Sequence, residues 1–326
     1  MSVWTRRFTL IGAIVIALVV NGPASAQTRL RWAHVYEITE PFHTEALWAA
    51  SEIKKRSHGR FDIEVFPASQ LGNEKQLNEG LDAGTIDIVY VGINFAAATY
   101  KPLGISGAPY MLRDFNHWKA YRDSKLFAEL ARGYEDKTGN KIVALTYYGQ
   151  RHVTANKPIR VPDDMKGMRL RVPPAPLVLM FTKSVGANAT PMAFSDVYQA
   201  SKQGLVDGQE NPLPTIMAKK FYEVQSHIVL TGHITESMVT VIGSHLWNKL
   251  TQDERQIFAD TLKEAAAKAT EAIEASERIL AAEFKKLGNT VIEPDREAFR
   301  KAALPLHNDA GAGWSREQYD ELQALK

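Results

Sequence analysis

Residues 169–176 read RLRVPPAP, a short predicted strand with arginines at alternate positions that stops at three prolines. Side chains alternate between the two faces of a strand, so Leu170 and Val172 share one face and Arg169 and Arg171 share the other. At least one guanidinium therefore lies where the sheet ends. Its planar fork can bind both oxygens of a carboxylate. Arginines near surface turns are also common, and this pattern alone leaves both interpretations open.

Two further polar side chains follow predicted strands. Arg151 comes after the strand KIVALTYYG, and Asn211 comes after VDGQ. In open α/β sheets, the carboxyl ends of the strands line the ligand crevice. Two guanidinium groups and an amide that meet at this edge would suit a carboxylate, because the amide adds a hydrogen bond to those from the arginines. The sequence therefore favours an anion site, with ordinary surface positions as the alternative.

Motifs for catalysis or nucleotide binding do not occur in this sequence. It has no GxxxxGK[ST] or GxGxxG loop, no GxSxG elbow and no HExxH. The pairs His34 with His43 and His227 with His233 have no third ligand at a metal-binding spacing, and a structural role is favoured for each histidine. We therefore predict a protein that is not an enzyme, with no catalytic residues, metal site or cofactor.

The first 26 residues have the pattern of a secretory signal peptide. Arg6 and Arg7 precede an apolar run at 10–20, and small residues before Gln27 predict cleavage after Ala26. An uncleaved membrane anchor is the alternative. The remaining chain has 37 basic and 37 acidic residues, which argues against a nucleic acid partner. There is no cysteine, so stability must come from core packing.

Helices and strands alternate along the predicted chain. The strand LRWAHV, a helix ending near Lys55 and the strand RFDIEVFP form a βαβ unit. The same order recurs where NEKQLNEGLDAG leads into TIDIVYVG, and where the helix at 126–138 leads into KIVALTYYG. This alternation predicts an α/β fold.

A weak internal similarity and one very long helix predict two lobes. DAGTIDIV and KQGLVDGQ share the order helix, glycine, apolar residue, aspartate, strand, with Gly84 and Gly204 where a left-handed residue is expected. From Thr251, which forms a capping box with Glu254, an apolar stripe continues to Gly288. At 1.5 Å per residue this helix extends about 55 Å, enough to cross both lobes. A coiled coil with a partner is the competing interpretation.

The stretches DDMKGMRLRVPPAP, GANATPMAFSDVYQASKQGLVDGQENP and KFYEVQ strongly resemble the DctP family of solute-binding proteins from tripartite ATP-independent periplasmic (TRAP) transporters. FPASQLG at 66–72 is also similar, and the likeness extends over essentially the whole chain after the signal peptide. The resemblance implies a two-lobed periplasmic protein that closes on an organic acid. It would deliver that acid to a membrane permease driven by an ion gradient.

The resemblance also implies roles for individual residues. In the family, the arginine of the RVP element binds the substrate carboxylate, which corresponds to Arg171, and a second arginine corresponds to Arg151. The asparagine of QENP corresponds to Asn211, and the phenylalanine of PMAFS corresponds to Phe194, which packs over the bound carboxylate. We expect lobe I at 27–148 plus 237–276 and lobe II at 149–236 plus 277–326, with an interdomain ligand cleft. His34, Phe95 and Tyr148 are added as candidate substrate-binding residues, and Tyr36, Glu37, Tyr90 and Asn94 as plausible wall residues.

The ligand itself is predicted by comparison with the sialic acid branch of the family. Positions that hold a polyhydroxylated tail there are occupied here by Val35, Gly92, Phe95, Pro174 and Met238. The pocket is therefore expected to be less polar, and sialic acid to be an unlikely ligand. A 2-oxo or hydroxy acid, a C4-dicarboxylate or an aromatic acid fits better. A carboxylate sensor that serves a membrane receptor kinase would keep the same pocket and is the alternative function.

Overall fold

The computed structural model describes Met1 and residues 27–308 and 313–326. Residues 2–26 of the predicted signal peptide lie outside these residues. The described residues form nine strands, which are β1 (Thr28–Ala33), β2 (Phe61–Phe66), β3 (Ile88–Gly92), β4 (Lys141–Ala155), β5 (Arg169–Val172), β6 (Asn188–Pro191), β7 (Gly208–Pro212), β8 (His227–Ile242) and β9 (Thr290–Ile292).

Twelve α-helices surround these strands in the described part of the chain. They are α1 (Pro41–Arg56), α2 (Glu74–Asp82), α3 (Ile93–Ala96), α4 (Phe115–Arg122), α5 (Lys125–Thr138), α6 (Leu179–Val185), α7 (Val197–Lys202), α8 (Leu213–Ala218), α9 (Ser244–Trp247), α10 (Gln252–Lys286), α11 (Arg296–Ala303) and α12 (Arg316–Ala324). Within those described ranges, no helix is long and apolar enough to cross a membrane.

All strands belong to one mixed sheet. Its order is β2-β1-β3-β8-β4-β7-β5-β6, with β9 beside β8. The antiparallel strands β4 and β8, 15 and 16 residues long, are its centre. Strand β3 pairs with the last residues of β8 and so connects β1 and β2 to the centre of the sheet. Strand β7 pairs with the last residues of β4 and so connects β5 and β6. Two α/β units therefore share a pair of long strands, in agreement with the predicted α/β class.

Strand β4 is longer than the sequence analysis predicted. The register of β4 against β8 shifts between Tyr147 and Gly149, where Gly149 has a φ of 115°. Glycine tolerates this backbone conformation, so the strand forms an irregular step and continues instead of ending. Arg151 consequently lies inside β4 and not behind it, and Asn211 likewise lies within β7. The predicted lobe boundaries at 148 and 236 fall close to this step.

Helix α10 has the predicted cap and buried stripe. The Thr251 hydroxyl accepts a hydrogen bond from the Glu254 amide, and the Glu254 carboxylate accepts one from the Thr251 amide. All seven residues of the predicted stripe are buried, together with Ala266: Phe258, Leu262, Ala265, Ala269, Ile273, Leu280 and Phe284. They pack within this chain, where α10 contacts β4, α1 and α8. The apolar stripe of α10 is therefore buried against other elements of this chain and not left for a coiled-coil partner.

Candidate functional site

Arg169 and Arg171 have opposite environments, although both lie on β5. Arg169 is exposed, and its guanidinium pairs with the carboxylate of Asp207. Arg171 is 1% exposed. Its Nε and Nη2 donate to the backbone carbonyl of Met192 at 3.1 and 2.7 Å. Its Nη1 is buried and has no hydrogen bond partner, so Arg171 keeps a buried donor for an anion.

Burial makes the charge of Arg171 costly. It lowers the pKa of the guanidinium to about 10, although the carboxylates of Glu74 and Glu210 act in the opposite direction. The group remains a cation at neutral pH. A buried charge without a close counterion costs about 3–5 kcal/mol, and a bidentate anion would offset that cost. The environment of Arg171 is therefore suited to a carboxylate.

Arg151 is already held by an ion pair. Its Nε and Nη2 bind the two carboxylate oxygens of Glu210, the latter at 2.8 Å. Nη2 also donates to the Asn211 side-chain oxygen at 3.3 Å. Burial disfavours the charge of Arg151, but the pairing with Glu210 outweighs it and raises its pKa above the usual range. The remaining Nη1 lies 3.6 Å from Glu236.

Glu210 connects Arg151 to a buried histidine. Its carboxylate lies 3.2 Å from His233 Nε2, and His233 Nδ1 lies 2.8 Å from the Thr231 hydroxyl. Burial raises the pKa of Glu210, but Arg151 and His233 outweigh this and lower it to about 2. The ring of Phe181 stacks on His233 with centroids 3.7 Å apart. The sequence analysis missed Glu210, although it stands directly before Asn211 in the QENP element.

Six of the seven predicted substrate-binding residues line one cavity. The empty space within it is about 400 Å³, which includes space open to the solvent. These six are Phe95, Tyr148, Arg151, Arg171, Phe194 and Asn211. The cavity lies between segments from both halves of the sequence. This convergence is the arrangement that an interdomain cleft requires.

His34 does not line this cavity. Its ring is buried behind Tyr36, with centroids 6.0 Å apart, and its Nε2 lies 3.3 Å from His43 Nδ1. Burial lowers the pKa of His34 to about 3, so the ring is neutral at physiological pH. In the described ranges, no cluster of three metal-ligating side chains occurs. The structure thus places His34 one layer outside the cavity wall.

The wall is more polar than the sequence comparison predicted. Glu74, Asn94 and Glu236 all line the cavity and are buried. Of the plausible wall residues, Tyr36 and Asn94 contribute to the cavity. Glu37 and Tyr90 do not line it. Of the five positions on which the expectation of low polarity rested, Gly92 and Phe95 line the cavity, whereas Val35, Pro174 and Met238 do not. Glu74 and Glu236 were missed because no local pattern marks them.

Aromatic rings frame the guanidinium groups. The Arg151 guanidinium lies 5.9 Å from the ring centre of Tyr148. Phe194 is buried, and its ring centre lies 6.4 Å from that of Tyr36 and 5.0 Å from the Lys219 ammonium. These rings exclude water from the polar groups, which strengthens electrostatic interactions in the cavity.

The chain matches the family model for bacterial extracellular solute-binding protein, family 7 (DctP), over residues 32–312. It is 30% identical to the sialic acid-binding periplasmic protein SiaP of Vibrio cholerae over 97% of this chain and 99% of that protein. It is 28% identical to the C4-dicarboxylate-binding periplasmic protein DctP of Rhodobacter capsulatus, over 94% of each.

Solved structures of TRAP periplasmic solute-binding proteins have the same two-lobed fold. One from Polaromonas sp. JS666, bound to D-erythronate, has a TM-score of 0.88 at 29% identity and covers 92% of this chain and 99% of that one. Another from Actinobacillus succinogenes, with bound L-galactonate, has a TM-score of 0.86 at 30% identity and covers 91% and 98%. The chain therefore belongs to the DctP family of TRAP transport solute-binding proteins, which are extracellular binding proteins and not enzymes.

Proposed function

We propose that this protein is the periplasmic substrate-binding component of a TRAP transporter. It captures a small organic acid through a salt bridge between Arg171 and the ligand carboxylate, and it delivers the acid to an ion-gradient-driven membrane permease. The buried Nη1 of Arg171, which has no hydrogen bond partner, carries the proposal. The predicted signal peptide, cleaved after Ala26, would export the protein to the periplasm.

Binding is coupled to lobe movement in this proposal. Lobe I comprises 27–148 plus 237–276, and lobe II comprises 149–236 plus 277–326. Arg171 belongs to lobe II, whereas Tyr36, Glu74 and Phe95 of the same cavity belong to lobe I. When the lobes separate, water can reach the guanidinium, and when they close, that water is lost. Closure is thus favourable only when a carboxylate replaces the water.

The ligand of this chain is smaller than sialic acid in our proposal. The identity of 30% to a sialic acid-binding relative is compatible with a different ligand. Gly92 and Phe95 line the cavity and offer no polar side chain. An acid of four to six carbons has fewer polar groups than sialic acid, so fewer of them would remain unpaired beside Gly92 and Phe95.

The salt bridge is tested with two variants on the same strand. Arg171→Lys keeps the charge but loses the planar fork, so affinity should fall about 100-fold or more. Arg169→Lys is the matched control, because Arg169 is exposed and bound to Asp207, and its affinity should be unchanged. Thermal-shift screening against an organic acid library first identifies a binding acid, and calorimetry then measures affinity. Equal affinities for Arg171→Lys and the wild type would refute the salt bridge.

The delivery step is tested in a bacterial strain that lacks this gene. Uptake of the acid identified by calorimetry should be lost and should return with the wild type but not with Arg171→Ala. Unchanged uptake in the deletion strain would contradict a transport function. That result would instead favour the sensor alternative, in which only a transcriptional response to the acid is lost.

A further inference from the structure

We infer that Glu277 of α10 holds the hinge between the two proposed lobes, and that its hydrogen bonds to Tyr147 and Gln150 set how tightly every ligand is bound. We call these three residues the hinge brace. The inference rests on the proposed function, because it requires that the lobes move, and it adds a control of that movement. Glu277 does not line the cavity, so it is a positioning residue and touches no ligand.

Three parts of the chain pass between the proposed lobes, and they lie close together. They are β4 between 148 and 149, β8 between 236 and 237, and α10 between 276 and 277. Gly149 pairs with Glu236 in the sheet, so the crossings in β4 and β8 are neighbours. Glu277 Oε1 accepts a hydrogen bond of 2.6 Å from the Gln150 amide, which joins the third crossing to them. One carboxylate of α10 is therefore bound where the two long strands change lobes.

Helix α10 holds β4 on both sides of the irregular step at Gly149. Before the step, the Tyr147 hydroxyl donates to Glu277 Oε2 at 2.7 Å, and the Tyr147 amide donates to the Thr270 hydroxyl at 3.1 Å. After the step, the Gln150 amide donates to Glu277 Oε1. Because the two donors to Glu277 lie on opposite sides of the step, rotation there would lengthen at least one of these bonds.

Tyr147 is fixed on the lobe I side by aromatic packing. Its ring centroid lies 4.8 Å from that of Phe115 and 5.3 Å from that of Trp118, both residues of α4. The Trp118 indole donates to the Ser237 hydroxyl at 2.9 Å, and Ser237 pairs with Tyr147 in the sheet. The Tyr147 hydroxyl is thus held by lobe I, so its bond to Glu277 resists rotation of lobe II.

Gly149 provides the space that the hinge brace occupies. Its φ of 115° is a conformation that favours glycine. An added Cβ would lie 2.7 Å from Glu277 Oε1 and 2.9 Å from the Cβ of Pro212. A larger residue would therefore push the carboxylate away from the Gln150 amide. Both the backbone conformation and the space at this step fit a glycine with the Glu277 carboxylate beside it.

The hinge brace acts on affinity through the equilibrium between lobe positions. Its bonds are present in the same structure as the buried Arg171 guanidinium, so they favour the closed position. When only that position binds, the apparent dissociation constant is the intrinsic one divided by the fraction of closed protein. Loss of the brace lowers this fraction for every ligand alike. A residue that contacts the ligand would instead change affinity by a different factor for each acid.

The hinge brace is tested first without any ligand. The sequence has no cysteine, so Glu79→Cys in lobe I and Lys202→Cys in lobe II, both at exposed positions, provide sites for two spin labels. Double electron–electron resonance measures the distribution of distances between the labels. Glu277→Ala should widen this distribution about twofold, whereas Glu271→Ala, at an exposed position of the same helix, should not. An unchanged distribution in Glu277→Ala overturns the inference and leaves the proposed function intact.

The effect on affinity is tested by calorimetry with lactate, malate, gluconate and 2-oxoglutarate. For each acid that the wild type binds, Glu277→Ala should weaken binding by the same factor, about tenfold. Glu277→Gln keeps an oxygen for the Gln150 amide and an NH2 group for the Tyr147 hydroxyl, so it should retain the wild-type affinity. This rescue distinguishes the lost bonds from a general effect of substitution at 277.

Tyr147→Phe tests the hinge brace again if Glu277→Ala does not fold. It removes only the hydroxyl and keeps the ring, so affinity should fall about threefold for each acid. Factors that differ between acids, or wild-type affinity in both Glu277→Ala and Tyr147→Phe, refute the hinge role. A wild type that binds none of these acids counts against the proposed function, and the label distances then still decide the inference.

Discussion

The Lys219 ammonium donates a hydrogen bond of 2.6 Å to the Glu37 carboxylate, and this contact joins the end of α8 to the loop after β1. Beside it, the Thr215 hydroxyl donates to Glu40 at 2.7 Å. Glu37 and Glu40 belong to the proposed lobe I, whereas Thr215 and Lys219 belong to the proposed lobe II. Two polar contacts thus connect the proposed lobes next to Phe194, a cavity wall residue.

Removal of this ion pair should speed ligand release. Lys219→Met keeps the aliphatic stem but loses the charge, and a partly exposed pair of this kind contributes up to about 1 kcal/mol. We expect the dissociation rate constant of the tightest-binding acid to rise about fivefold, with a small change in the association rate constant. Stopped-flow fluorescence measures both. The control is Lys220→Met, an exposed neighbour. An equal dissociation rate constant in both variants would show that the Lys219–Glu37 ion pair does not slow ligand release.

Ligand binding should make the protein more compact. If the lobes close on the acid, the radius of gyration measured by small-angle X-ray scattering falls at saturating ligand. Arg171→Ala lacks the group that makes closure favourable, so the same concentration of acid should leave its radius of gyration unchanged. A wild-type protein whose scattering is identical with and without ligand would rule out lobe closure.

Loss of the buried partner of Arg151 should destabilise the fold strongly. Glu210→Gln removes the closer of the two carboxylates beside a buried guanidinium, which costs about 3 kcal/mol in the free energy of unfolding. Asp207→Asn is the comparison, because its ion pair with Arg169 is exposed and should contribute less than about 1 kcal/mol. Urea denaturation measures both variants. Similar losses would show that the buried pair has no special structural role.

Glu277 should make stability depend on pH. This residue of α10 accepts hydrogen bonds from the Gln150 amide at 2.6 Å and the Tyr147 hydroxyl at 2.7 Å. Burial outweighs both bonds and raises its pKa from 4.5 to about 7. The folded state therefore binds more protons than the unfolded state between these values, and the contribution of Glu277 to stability falls as pH rises through this window.

The variant Glu277→Gln isolates this contribution. From pH 5 to pH 8, the wild type should lose about 2 kcal/mol more free energy of unfolding than the variant does. Glu271→Gln, at an exposed position of the same helix, should behave like the wild type. Denaturation curves across the pH range provide the measurement. Parallel pH profiles for the wild type and Glu277→Gln would contradict the raised pKa.

Local patterns were sufficient to predict much of this molecule. The alternation of helices and strands indicated the α/β class, and the period of apolar residues indicated α10 with its cap at Thr251. The alternation of side chains in RLRV and the prolines that follow it predicted β5. They also marked Arg171 as a candidate anion-binding residue at the end of that strand. These features depend on neighbours within a few residues along the chain, so the sequence alone is enough to predict them.

Contacts between residues that are far apart in the sequence depend on the tertiary fold. Asn94 reaches Glu236 across 142 positions, and Arg151 meets Glu210 across 59. No periodicity encodes such pairs, because they arise where β3, β4, β7 and β8 meet in one sheet. The same packing places His34 behind Tyr36 and brings Glu74 and Glu236 to the cavity wall. The sequence alone therefore indicated an anion-binding arginine, whereas the fold determined which carboxylates line the same cavity.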